Sequence, residues 1–385
     1  MSMADFHVKV HKITQPVINH PNADRLTIVS IGGYQCIANK HDDGSWRYHE
    51  GDYIVYIPEG ALVPEWLLRQ LDMWDEANSK GMLAGARGDR VKAINLRGVV
   101  SQGILLGCES VDGGSPIMPM NNTAAIFVYE GQEVADLLGI TKYEPAVPTH
   151  LAGEVCNLHG HTIHYDIDSL QTYPDMFDEG ESVVVTEKLH GTFCDVAFLS
   201  LEHPELFGQR RNIYVASKGL GAKGLVFKNN DANTGNLYVR TLRALLEAGI
   251  EDKIYELFDA PDEIHILGEI FGPGVQDLHY GLAAPEFRVF DIKVNNGFAY
   301  PKTLDTFVHS LGLTNVPLLY EGSFDRELLL GYRDGQDTVN GAHIREGIVI
   351  KSAREARHHI HGRKIAKFVS PDYLLRKNKD ATEFS

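Results

Sequence analysis

The stretch VVVTEKLHGTFCDVAF, residues 183–198, decides how the rest of the chain is read. Apolar residues run up to the pair Glu187–Lys188, pass a small turn at Gly191, and resume as a second alternating run. Two such runs around a short turn predict neighbouring β-strands. They leave a lysine at the end of a buried strand. A lysine in that position is partly desolvated, which disfavours the ammonium and favours the neutral, nucleophilic amine. Gly191 removes a Cβ and lets a bulky ligand approach the backbone. A K-x-x-G string is common by itself, and most strand-end lysines simply reach solvent.

Residues further along the chain change the weight of that reading. ASKGLGAKG places Ser217 and Lys218 at a strand end, and LGEIFGPG ends a strand with Glu269. FRVFDIKV alternates Phe287, Val289 and Asp291 with Arg288, Phe290 and Ile292. REGIVIKS sets Glu346 and Gly347 ahead of a β-branched run, and RKIAKFVSPDYL puts Lys364 and Lys367 on a final strand. In order and in strand context this set resembles the six motifs of the covalent nucleotidyltransferases, which comprise RNA ligases, DNA ligases and capping enzymes.

The resemblance implies a role for each residue. Lys188 is the nucleophile that attacks the α-phosphorus of ATP and becomes lysyl-AMP. Lys367, with Lys364, neutralises charge on the phosphate. Glu269 accepts from a ribose hydroxyl, Phe290 stacks on the purine, and Glu187 helps read the adenine edge. Lys218 stands where relatives carry a basic residue facing ribose or the acceptor strand. Glu346 holds Mg²⁺, with Mn²⁺ as a substitute. There are two departures. Phe193 replaces an Arg or Asn of many relatives, so Arg211 or Asn212 is expected to supply the ribose contact. Lys364 and Lys367 are three apart, so they cannot both face one side of a regular strand.

Ahead of residue 145 the chain reads as short strands (FHVKVHKI, LTIVSI, YQCIANK, DYIVYI and RVKAINLRG) with one helix at PEWLLRQLDMW. That pattern suggests a small barrel such as an OB-fold. The proline-bearing string YEPAVPTHLAG marks a boundary, giving an OB-like domain over 1–148 and a nucleotidyltransferase domain over 149–385. The fold class is α+β: the barrel precedes an ATP-grasp-like ligase catalytic domain with antiparallel sheets. HPNADRL (20–26) and LRGVVSQGILLG (96–107) resemble the signature strings of a tRNA-binding OB module. They also resemble the amino-terminal domain of Deinococcus-type RNA ligases. Arg97, and with it Arg25, are the nucleic-acid candidates there, beside a reading in which the strings merely close the barrel.

The totals bound the function. A net charge of −16 argues against nucleic acid on average, yet nine Lys or Arg fall between 351 and 379. A local excess of that size can meet phosphates while the remaining surface stays acidic. No apolar run approaches the roughly 20 residues of a membrane span. The four cysteines form no CxxC, which suits a reducing, cytoplasmic setting. The expected activity is an ATP-dependent RNA ligase sealing 3′-hydroxyl/5′-phosphate breaks, with RNA or an RNA-containing nicked duplex as partner and no protein partner implied. A DNA ligase, a capping-type enzyme and a non-catalytic RNA-binding protein are the alternatives.

Overall fold

The computed structural model describes residues 6–110, 116–120, 124–144, 148–200, 203–208, 212–258 and 262–376. Arg211, Lys377 and Lys379 therefore lie outside the described residues. The chain divides into two compact units: 1–144 with 169–174, and 145–168 with 175–385.

The first unit is built from short antiparallel sheets. One joins Lys9–Lys12, Tyr53–Ile57 and Ile104–Gly107; another joins Ile18–Asn19, Leu26–Ile31 and Tyr34–Asn39. The strand Tyr53–Ile57 feeds two cores, because successive side chains leave on opposite faces. Val55 and Ile57 pack with Val8, Val10 and Leu106, whereas Ile54 and Tyr56 pack with Val29, Ile31 and Cys36. The helix Glu65–Gln70 starts at Pro64 and buries Leu67 and Leu68. The strings around His20 and Arg97 are clasped together. His20 Nε2 donates to the Leu96 carbonyl at 2.9 Å, and Asn22 Nδ2 donates to the Arg97 carbonyl at 2.8 Å.

The second unit carries two larger antiparallel sheets. Its strands are β1 (Ser182–Lys188), β2 (Gly191–Leu199), β3 (Asn212–Ser217), β4 (Glu263–Phe271), β5 (Glu286–Val294), β6 (Leu318–Ser323), β7 (Gly347–Ser352) and β8 (Ile365–Val369). β3-β2-β4-β5 form one sheet, extended by Gly297–Phe298, and β8-β7-β1-β6 run in order in the other. β2 is buried along its whole length, so it reads as a continuous apolar run with a single acid, Asp195. The helices Leu237–Glu247 and Ile250–Leu257 back the first sheet through Leu242 and Ile254. The run 241–258 reads as helical throughout in sequence. The structure breaks it at Gly249, whose φ of 77° ends one helix and starts the next.

One strand departs from simple alternation. The ladder between β4 and β5 pairs Leu267 with Asp291 but Gly268 with Val289 and Glu269 with Arg288. Phe290 is the extra residue of a bulge. A bulge re-aims a side chain and shifts the facing of the residues beyond it. Arg288 and Asp291 therefore share the face of Glu269, although strict alternation separates them.

Candidate active site

The two large sheets face one another across the candidate site. On the second sheet the register puts Val184, Lys351 and Ile365 in one row, Thr186, Val349 and Lys367 in the next, and Lys188, Gly347 and Val369 in a third. Paired residues of an antiparallel ladder project to the same side. Lys188, Lys351 and Lys367 thus share a face. The opposing sheet presents Phe193, Glu269 and Asp291 on one face.

Lys188 ends β1, and its Nζ contacts a carboxylate oxygen of Glu346, which is 1% exposed. The other oxygen of Glu346 is buried and has no hydrogen-bond partner among the described residues. Glu269 keeps some open surface but is closely hemmed in. Burial, opposed by Lys188 and Lys218 and reinforced by Glu346, pushes its carboxyl up to about 8. Lys218 opens the short helix Lys218–Gly221 and places its Nζ 2.9 Å from Asp166. Lys188, Glu269, Glu346 and Lys218 therefore form one electrostatic neighbourhood.

Phe290 sits among aromatics, with ring centroids 5.5 Å from Tyr165 and 5.9 Å from Phe193. Beside it, Asp291 is fully buried. It accepts from the Tyr165 hydroxyl at 2.7 Å and from Arg363 at 2.5 Å, and it faces Lys351 Nζ at 3.1 Å. Burial opposes the charge of Asp291, but Lys351 and Arg363 outweigh it and hold the group below the usual carboxylate range. Sequence reasoning missed Lys351, Arg363 and Tyr165 as site residues. The signal was present: a charge inside a strand otherwise apolar on both faces needs a buried partner.

Other expected residues lie elsewhere. The side chain of Glu187 leaves β1 on the side opposite Lys188. There it accepts from the Thr338 backbone N–H at 2.8 Å and its hydroxyl at 2.5 Å. Lys364 is directed away from the site, with its Nζ 2.6 Å from Glu181 and 3.3 Å from Asp178. Gly191 is required by its own neighbours: a Cβ there would come within 2.2 Å of the Ile270 carbonyl oxygen. Phe193 is 8% exposed and packs with Tyr165, Leu267 and Ile365. In the first unit, Arg97 is exposed at the tip between paired strands, with a left-handed φ of 50°. Arg25 is held in a surface ion pair with Asp42 at 2.9 Å.

The donor set fits a hard divalent cation. Glu346 offers a buried oxygen with no hydrogen-bond partner, Glu269 lies in the same neighbourhood, and oxygen ligands suit Mg²⁺ or Mn²⁺. The groupings of His, Cys, Asp and Glu close enough to share a metal among the described residues are Cys156 with His203 and Glu205, and Asp175 with His358 and His361.

The geometry sets a strand-end lysine against a buried carboxylate between two antiparallel sheets, an arrangement that can present a lysine nucleophile. Residues 181–369 match the RNA ligase family, and residues 7–108 match an OB-fold domain. The chain carries an RNA ligase family domain behind an amino-terminal OB-fold domain, in a mixed α+β fold. Among solved structures it resembles Naegleria gruberi RNA ligase. The form with ATP and Mn, from a lysine mutant, aligns with a TM-score of 0.71 at 20% identity, covering 95% of this chain and 98% of that one. The form with pyrophosphate aligns with a TM-score of 0.71 at 21% identity over 96% and 98%. At this identity the likeness is one of fold. Among curated proteins, none matches the chain.

Proposed function

We propose that the protein is an ATP-dependent RNA ligase that works through a lysyl-AMP on Lys188. The observation that carries this reading is the contact of Lys188 Nζ with the buried carboxylate of Glu346, within electrostatic reach of Glu269, inside the segment that matches the RNA ligase family. Lys188 attacks the α-phosphorus of ATP, forming the N–P bond as pyrophosphate leaves. The AMP then passes to a 5′-phosphate, and a 3′-hydroxyl displaces it as the phosphodiester forms. Nicks in duplexes are the proposed breaks.

The ion pair has a direct consequence for the first step. A carboxylate beside Lys188 favours the ammonium, which is not nucleophilic. A divalent cation held by Glu346 would offset phosphate charge and relieve Lys188 of its counter-ion, leaving Glu269 to accept from the ribose. Lys367 stands on the same face as Lys188 and adds positive charge where the phosphates would lie. Phe290 offers its ring to the base, with the Asp291–Lys351–Arg363 network behind it fixing the wall of the pocket.

The order of domains, with the OB-fold first, favours the Deinococcus-type group of RNA ligases. In the OB-fold domain the exposed Arg97 is the phosphate contact we propose, its turn held by Asn22. No helix among the described residues is long and apolar enough to cross a membrane, and the four cysteines are free, in keeping with a cytoplasmic setting.

The test is label transfer from α-labelled ATP and GTP, followed by sealing of nicked RNA, DNA and mixed duplexes. Labelling by ATP alone and sealing of RNA-containing nicks support the proposal. Labelling by GTP points to capping-type chemistry, and sealing of all-DNA nicks alone points to a DNA ligase. RNA binding without any label leaves the binding-module alternative.

A further inference from the structure

Behind the nucleophile turn lies a second polar cluster that the chemistry above does not use. His190, two residues after Lys188, is 2% exposed. Its Nε2 lies 2.5 Å from Asp277 Oδ1, and its Nδ1 lies 2.7 Å from the Tyr373 hydroxyl. A carboxylate can only accept, so Nε2 carries the proton toward Asp277, while Nδ1 pairs with the Tyr373 hydroxyl. Asp277 also accepts from Arg376 Nε at 3.1 Å. Burial opposes the charge of Asp277, but His190 and Arg376 hold it well below the usual carboxylate range. The backbone N–H of His190 donates to the Tyr280 hydroxyl at 2.7 Å.

The cluster has two ends with different addresses in the chain. One end is the turn between β1 and β2, where Leu189 is buried against Phe271, Tyr280 and Tyr373. The other end is the carboxy-terminal helix Pro371–Leu374, which supplies the fully buried Tyr373 and leads into Arg376. Arg376 also lies with its guanidinium 3.8 Å from the Tyr373 ring centroid. Each residue between Lys188 and Gly191 is thus anchored, one by apolar packing and one by a directional hydrogen-bond chain. A reacting lysine displaced by about 1 Å can lose on the order of 10²-fold in rate, so such anchoring bears on chemistry as well as stability.

We propose that His190 is the positioning residue of the nucleophile turn: with Asp277, Tyr373 and Arg376 it fixes Lys188 for attack and makes docking of the carboxy-terminal helix a condition for AMP transfer. The proposal rests on the reading of Lys188 as the AMP acceptor. A buried histidine that is merely satisfied would affect only folding stability. A positioning histidine affects the rate of adduct formation in protein that remains folded.

The experiment is single-turnover formation of the AMP adduct on the full chain over a range of ATP concentrations, with thermal unfolding measured alongside. Tyr373→Phe deletes one hydroxyl and keeps the ring packing. His190→Leu removes both hydrogen bonds, and His190→Gln restores a donor toward Asp277. The expected result is a 10- to 100-fold fall in the limiting rate for Tyr373→Phe and His190→Leu, about the size of a mispositioned group. Half-saturating ATP stays within about twofold, His190→Gln recovers part of the rate, and the double variant is little worse than His190→Leu alone. If His190→Leu does not fold, Tyr373→Phe carries the test. Wild-type rates in folded Tyr373→Phe overturn the proposal, as does a change in half-saturating ATP alone. A wild-type chain that takes no AMP overturns the ligase reading and the proposal with it. A labelled wild type with equally fast variants overturns the proposal only.

Discussion

Lys188 and Lys367 project from the same face of one sheet, in adjacent rows of the ladder, while Lys364, just ahead of β8, reaches Glu181 and Asp178. The two lysines of RKIAKFVS therefore have different duties. Lys367→Ala should lower sealing by about 10² or more, the range for loss of one charge-stabilising group. Lys364→Ala should leave sealing within about twofold, because its partly buried pair with Glu181 bears on stability and not on the reaction. Rates on a nicked RNA duplex decide it. Equal losses from the two variants would contradict the assignment.

Glu346 is the counter-ion of Lys188 in the structure, and in the proposed reaction its second, unpartnered oxygen is the metal ligand. Glu346→Gln keeps the shape and removes the charge. It should abolish sealing under Mg²⁺ and weaken the binding of Mn²⁺, read by calorimetry without any nucleotide. Full Mn²⁺ affinity in the variant would move the cation elsewhere.

The Asp291 network should matter to folding as much as to the pocket. Removing one partner of a buried ion pair leaves the other uncompensated, at about 3–5 kcal/mol. Asp291 keeps Arg363 and Tyr165 when Lys351 is lost, so Lys351→Met should fall at the low end, about 3 kcal/mol in urea unfolding. A cost below about 1 kcal/mol would mean that Lys351 is dispensable to the network.

A separate buried pair sets a pH dependence of stability. His265 is 1% exposed and lies 3.1 Å from Asp195. Burial alone would lower its pKa, but Asp195 and Glu263 more than offset this and raise it to about 9. The unfolded histidine titrates near 6.5. Its stabilising contribution is therefore complete below about 6.5 and is lost as pH rises through about 9. Unfolding free energy should fall across that window, and His265→Gln should flatten the fall. An equal slope in both proteins would assign the effect to other groups.

Much of the fold was legible because the strands announce themselves. SVVVTEKL and GIVIKS are short β-branched runs, and in the structure they become paired neighbours in one sheet. The helix expected in PEWLLRQLDMW follows its Pro64 cap but ends at Gln70, and Trp74 falls in a short strand. Facing was harder to read. Alternation through FRVFDIKV separates Arg288 from Asp291, and only the bulge at Phe290 brings them to one face. Long-range partners were not legible at all. His190 lies inside the most informative stretch of the sequence, yet its partners are 87 and 183 residues away. No local pattern encodes such a contact. Resemblance gave Glu187, next to Lys188, a part in reading the adenine edge, but neighbours on a strand point to opposite faces, and in the structure its carboxylate binds Thr338.

The central claim is that Lys188 becomes covalently attached to AMP. The most direct measurement is mass spectrometry of the intact chain after incubation with ATP and Mg²⁺, followed by peptide mapping, beside Lys188→Ala treated in the same way. The account predicts one added AMP, carried by the peptide that contains Lys188 and absent from the variant. An adduct on another residue, or a fully labelled Lys188→Ala chain, would contradict it.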